Sequence, residues 1–250
     1  MTLVNDANFP GLQYITADNI HSPEVSAIFS TKNTGENYRI VMASRGGDFK
    51  GPVTSEQKHT DNIVVVDEAA AEKSQRSGSF RLREIADALV TDIKGLLLSV
   101  RTADCVPVLL YDSKNRSVGA VHAGWRGTLA GIVPKTVRRM TDVYGSDPKY
   151  IKAAIGPAIG LCCFEVGFEV REKFAVEYGE SIDRFFTAKP GEKPYGDIKS
   201  MNREFLIEAG IPEKNIEMSD LCTKCNTDLF FSFRRSGEKC GSMASFIGLK

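Results

Sequence analysis

Apolar residues in this chain gather into short β-branched runs rather than alternating with polar ones. Asn62–Asp67 (NIVVVD), Gly95–Val100 (GLLLSV), Val106–Asp112 (VPVLLYD) and Ser117–His122 (SVGAVH) are each bounded by polar residues. Such runs predict strands. Because the apolar positions do not alternate, the pattern predicts a sheet covered on both faces. Helical spacing follows. Val133, Val137, Met140 and Tyr144 share one face of a helix predicted over Thr128–Tyr144, with Gly145 as its C-cap and Pro134 either kinking it or marking its regular start. Val170 and Phe174 predict a helix over Phe168–Tyr178, before Gly179. Phe205 and Leu206 predict another over Met201–Ala209, ending at Gly210. The tail, Leu229–Leu249, reads as two strands around Ser236-Gly237, and the polar stretch Thr31–Gly51 as loops and short strands. No repeat or composition shift marks a linker, so residues 1–250 are expected to form one mixed α/β domain.

Charge narrows the function. Lys plus Arg and Asp plus Glu are both 32, giving zero formal net charge. The cationic excess that neutralises nucleic-acid phosphates is absent. No apolar run approaches a membrane span, and Met1–Pro10 lacks a basic segment followed by an apolar one. Six cysteines in a chain without that export signal are expected to be reduced thiols in the cytoplasm. Oligomeric state is not legible.

The chain has three histidines, His21, His59 and His122. His122 ends a predicted strand and leads into Ala123-Gly124-Trp125-Arg126-Gly127; Cys105 begins another, and His59 precedes a third. Strand ends are where α/β enzymes place their chemistry. Two imidazoles and a thiolate suit catalytic zinc, whose open fourth position holds a water acidified to about pKa 7. Spacing alone leaves a packing role open for each residue, because the three are dispersed.

Arg101–Leu110 (RTADCVPVLL) and Val118–Thr128 (VGAVHAGWRGT) resemble the signature of the laccase-domain, YfiH-like family. The resemblance continues through Gln57–His59, Ala86–Thr91, Ile155–Pro157, Phe164–Gly167, Cys222-Thr223 and Phe231–Arg235. It implies a layered α/β/β/α sandwich and a zinc ion held by His59, Cys105 and His122. It also implies purine nucleoside phosphorolysis and adenosine deamination; bacterial relatives are linked to peptidoglycan editing. The chain departs from the pattern at its N-terminal loop, where Lys32 follows Phe29-Ser30-Thr31. Ser242 stands where an Arg is expected, and Phe164 and Phe233 stand for tyrosines.

Other candidates divide between two readings. Arg126, in a glycine-bracketed turn, is read as a phosphate or ribose contact, with packing on Trp125 as the alternative. Arg234 and Arg235 suit forked anion contacts or a solubilising edge strand. Asp104 is read as orienting His122, moving protons, or capping a turn. Cys163 is placed beside the substrate, Cys162 as a buried thiol. Cys222-x-x-Cys225 resembles half a zinc ribbon without its second pair, and His21 is read as a surface residue.

The leading function is a zinc enzyme acting on purine nucleosides, with phosphate as co-substrate in phosphorolysis. In deamination, zinc-activated water would attack the purine carbon bearing the amine. Second is a metal-free hydrolase, as in the toxin deamidases of similar fold, with Cys105 as nucleophile and His122 as base. Third is a phenol oxidase, since copper displaces zinc at such ligands. A non-catalytic metal-binding protein is a fourth.

Overall fold

The computed structural model describes residues 1–7, 9–34, 38–76 and 81–250. Fifteen strands can be followed among them. They are β1 (Thr2–Asn5), β2 (Gln13–Thr16), β3 (Val25–Ser30), β4 (Lys50–Glu56), β5 (Ile63–Val65), β6 (Arg81–Ile85), β7 (Ala88–Thr91), β8 (Leu96–Thr102), β9 (Val106–Asp112), β10 (Ser117–Ala123), β11 (Ile151–Ile155), β12 (Phe186–Thr187), β13 (Tyr195–Gly196), β14 (Ile216–Met218) and β15 (Met243–Leu249). The helices are α1 (Tyr38–Ser44), α2 (Glu68–Arg76), α3 (Trp125–Leu129), α4 (Ile132–Tyr144), α5 (Phe168–Tyr178), α6 (Ile198–Glu208) and α7 (Phe233–Ser236).

Of the two large sheets, one runs β1-β2-β3-β15-β8-β4-β6 and the other β14-β11-β9-β10-β7-β5, while β12 and β13 pair by themselves. Residue parity explains the missing alternation in the sequence. Leu109 and Tyr111 of β9 join Leu98 of β8 and Ile247 of β15 in the core between the sheets. Val108 and Leu110, one residue out of step, pack with Val137 of α4 and Leu206 of α6 on the outer face. On the other outer face, Val41 and Met42 of α1 meet Leu97 and Phe246. Every residue of β9 and β10 is therefore buried. The result is the expected α/β/β/α layering.

Three expectations need correction. The helix predicted over Thr128–Tyr144 is two helices, α3 and α4, broken at Gly131, whose φ is 73°. Pro134 sits in the first turn of α4, where an absent N–H costs nothing because those groups have no intrahelical partner. The tail holds one strand rather than two. β15 lies between β3 and β8, while the segment before it forms α7. In 31–51, a helix (α1) appears where loops and short strands were predicted, and residues 35–37 of that stretch lie outside those described.

Candidate active site

Three connections meet at one end of the sandwich. The loop after β4 carries Gln57-Lys58-His59, and the chain then crosses from the first sheet to the second. Between β8 and β9 it crosses again through Ala103-Asp104-Cys105. The third contribution is the end of β10, which delivers His122. These elements place one ligand atom each of His59, Cys105 and His122 within 4.8 Å of one another. Cys105 Sγ lies 3.7 Å from His59 Nε2, and the two imidazole rings meet edge-on with centroids 4.9 Å apart. A tetrahedral ion with bonds of about 2.0–2.1 Å to nitrogen and about 2.3 Å to sulfur fits separations of this size, so the donor set suits a metal of zinc's kind.

Asp87, buried at the start of the Ala88–Thr91 strand, organises the group. Its carboxylate accepts from His122 Nδ1 at 2.7 Å, from the backbone N–H of Lys58, His59 and Thr60 at 3.2, 3.0 and 2.7 Å, and from Thr60 Oγ1 at 2.8 Å. One side chain thus fixes the His59 loop and holds the His122 ring with Nε2 free for the site. Gln57 clasps the same loop to β8, donating to Arg101 O at 2.8 Å and accepting from Arg101 N at 2.9 Å. His59 and Asp104 both have positive φ, 61° and 88°. Non-glycine residues hold that conformation at a cost of order 1–3 kcal/mol each, and such strain concentrates at functional sites.

Gly124 is required beside this cluster. A Cβ there would stand 2.7 Å from His59 Cδ2 and 3.0 Å from Cys105 Sγ. Only a residue without a side chain lets the turn into α3 pass this close to two of the three ligands.

Charge is coupled across the group. Burial pushes the Cys105 thiol up, but hydrogen bonds and charge from His122, then His59, more than offset this and bring it down to about 6. Burial lowers His122, yet its bonds to Asp87 and Cys105 raise it to about 9. Asp87 would be raised by burial; His122 and Thr60 hold it well below the carboxylate range. Without metal the group is a thiolate–imidazolium pair backed by a carboxylate.

The cluster opens into a cavity of about 800 Å³. Trp125, Phe164 and Phe233 supply aromatic surface to its wall. Lys58, Arg81, Arg101, Arg126 and Arg234 supply positive charge, and Ser242 also lines it. The Arg126 guanidinium lies 4.3 Å from the Trp125 ring centroid, so the residue both stacks on the indole and borders the cavity. Arg234 borders it too, 5.4 Å over the Phe164 ring and donating to Glu165 O at 2.6 Å.

Other predicted site residues stand elsewhere. Asp104 lines the cavity but does not orient His122; Asp87 does. The Asp104 carboxylate is taken up by Thr223 Oγ1 at 2.6 Å, Ser232 Oγ at 3.0 Å and Arg234 N at 2.6 Å, so it caps α7. Arg235 donates to the carbonyls of Thr223, Lys224 and Phe230, away from the cavity and not on an edge strand. Cys163 is not in the cavity wall, and Cys162 is exposed rather than buried. Both stand beside Cys222 and Cys225, which therefore do have a second cysteine pair. His21 is exposed, as expected. Sequence reasoning passed over Asp87, although a lone carboxylate in Ala86-Asp-Ala-Leu-Val-Thr91 is a signal: a charge in an apolar run must find partners.

Comparison with known proteins identifies the family. The family described as "Multi-copper polyphenol oxidoreductase laccase" matches residues 30–250. A Bacteroides thetaiotaomicron protein named purine nucleoside phosphorylase is 39% identical over 192 residues, 76% of this chain and 70% of that one. A protein from an unknown prokaryotic organism, named adenosine deaminase RL5, is 37% identical over 84% of this chain and 79% of its own length. The crystal structure of Bacillus licheniformis hypothetical protein YfiH superposes with a TM-score of 0.84 at 35% identity, covering 99% of both chains. With that match across most of its length, the chain belongs to the laccase-domain, YfiH-like family.

Proposed function

We propose that this enzyme is zinc-dependent and acts on purine nucleosides, by phosphorolysis, by deamination of adenosine, or by both. The carrying observation is the convergence of His59, Cys105 and His122 at the floor of an open cavity with aromatic and cationic walls. Relatives named for purine nucleoside phosphorolysis and adenosine deamination support the substrate class.

His59, Cys105 and His122 would hold the zinc, which would act as a Lewis acid toward water or substrate. Asp87 pairs with His122 Nδ1 and so leaves Nε2 as the nitrogen that would coordinate. Trp125, Phe164 and Phe233 offer flat apolar faces to a purine. Arg126 and Arg234 offer forked donors to phosphate or ribose. Ser242 leaves room in the wall where an arginine is expected, so those two arginines carry more of the anion contact.

The thiolate–imidazolium pair with its carboxylate favours a second reading, in which Cys105 is a nucleophile and His122 its base. His59, 3.7 Å from the sulfur, has no task in that reading. Chelation separates the two. Under the zinc reading, stripping the metal abolishes turnover of adenosine or inosine, zinc restores it, and bound metal protects Cys105 from alkylation. Full activity in chelator, with Cys105 rapidly alkylated, would overturn the zinc reading.

A further inference from the structure

Four cysteines meet outside the cavity. Cys162 and Cys163 lie in the loop after β11, Cys222 and Cys225 in the loop after β14. Their sulfurs all lie within 4.8 Å of one another, with Cys225 Sγ 3.6 Å from Cys162 and 3.5 Å from Cys163. All four are free thiols. A tetrahedral ion with metal–sulfur bonds of about 2.3 Å needs sulfurs about 3.8 Å apart, close to these separations.

The surrounding backbone is shaped for thiolate. Cys222 Sγ accepts the Gly160 N–H at 3.3 Å and a second backbone N–H from Cys225, so the C-x-x-C turn curls back onto its first sulfur. The two loops are also joined by backbone: Ala158 bridges Cys222, and Thr223 N donates to Ala158 O at 3.0 Å. Nearby, the buried Lys199 ammonium donates to Ser219 O and Leu221 O, the carbonyls leading into Cys222.

We propose that Cys162, Cys163, Cys222 and Cys225 form a second, closed metal site for zinc. Binding forms four zinc–sulfur bonds and releases to solvent the protons of whichever thiols are protonated. The four thiolates leave the centre with a net charge of −2, which Lys199 partly offsets. With no open position, the ion acts structurally. It staples the loop carrying Ile159 and Phe164 to the loop carrying Thr223, and Thr223 holds Asp104 in the cavity wall. This inference does not depend on the active-site zinc.

The test is metal analysis and cobalt replacement on full-length protein purified under reducing conditions without added metal. Wild type should hold about two zinc equivalents, and Cys105→Ala about one, still bound by four thiolates. Cobalt in Cys105→Ala should show the intense charge-transfer bands of a tetrathiolate centre. Those bands should disappear in the triple variant Cys105→Ala/Cys222→Ser/Cys225→Ser. Unchanged zinc in Cys105→Ala, with tetrathiolate bands in the wild type, would sink the active-site assignment and leave this one standing. Cys105→Ala free of metal with all four thiols alkylated at once would overturn the proposal. So would a disulfide from Cys225 to Cys162 or Cys163 in the reduced preparation, or iron in place of zinc.

Discussion

Replacing Asp87 by Asn tests whether the candidate active site holds metal in the way proposed. In the metal-free wild type, Cys105 is already a thiolate above pH 6, while His122 stays protonated up to about 9. Metal entering between those values displaces one proton, the one on the imidazole nitrogen that must coordinate. Linkage then requires the apparent Kd for zinc to fall about tenfold for each pH unit from 6 to 9. Asp87→Asn removes the carboxylate that sustains the imidazolium, so His122 deprotonates at lower pH and the slope flattens. It also replaces an acceptor of five hydrogen bonds by an amide that cannot accept them all. Loss of such a supporting partner costs about 10–100-fold in metal affinity. The two effects oppose at neutral pH and separate at high pH. At pH 9 the variant should bind zinc about 10–100-fold more weakly than wild type, and near pH 7 the gap should narrow. Competition with a chromophoric chelator across this range, in a Cys222→Ser/Cys225→Ser background, reads only the one site. A wild-type Kd that does not vary between pH 6 and 9, or equal affinities at pH 9, would refute the reasoning.

Three further outcomes follow from contacts described above. Gly124→Ala should deplete active-site metal while leaving the far-ultraviolet spectrum intact, because the new methyl collides with His59 and Cys105; full metal content would show the turn can yield. Arg126→Ala should raise KM for phosphate or nucleoside by an amount equivalent to about 1.5–3 kcal/mol, the worth of a charge-assisted contact; unchanged kinetics at wild-type stability would leave it only its stacking on Trp125. Asp104→Ala should lower unfolding free energy by on the order of 3 kcal/mol, since three donors lose their acceptor at 1–3 kcal/mol each; a chemical-denaturation midpoint equal to wild type would remove its structural role.

Local pattern carried much of the fold. β9 and α5 span the residues that hydrophobic runs and helical spacing predicted, and parity explains why β9 shows no alternation. Where the reading failed, distant partners decide. α7 forms because Asp104, more than a hundred residues earlier, accepts from Ser232 and Arg234. The break between α3 and α4 follows from one positive φ at Gly131, which apolar spacing does not register. In the site, spacing alone could not unite His59, Cys105 and His122, because their neighbourhood exists only in three dimensions; the family motifs made it legible. The cysteine cluster escaped for the same reason. Its pairs are about sixty residues apart, and one is an adjacent Cys-Cys rather than C-x-x-C.

The candidate active site is supplied by two crossings between the sheets and the end of a third strand. No short segment of the chain therefore contains it, and it comes into existence only when the two sheets have docked. A nascent or unfolded chain presents isolated imidazoles and thiols, whereas the folded chain presents a finished socket. A metal held by these three residues would therefore bind the native state, and would add resistance to unfolding that grows with metal concentration.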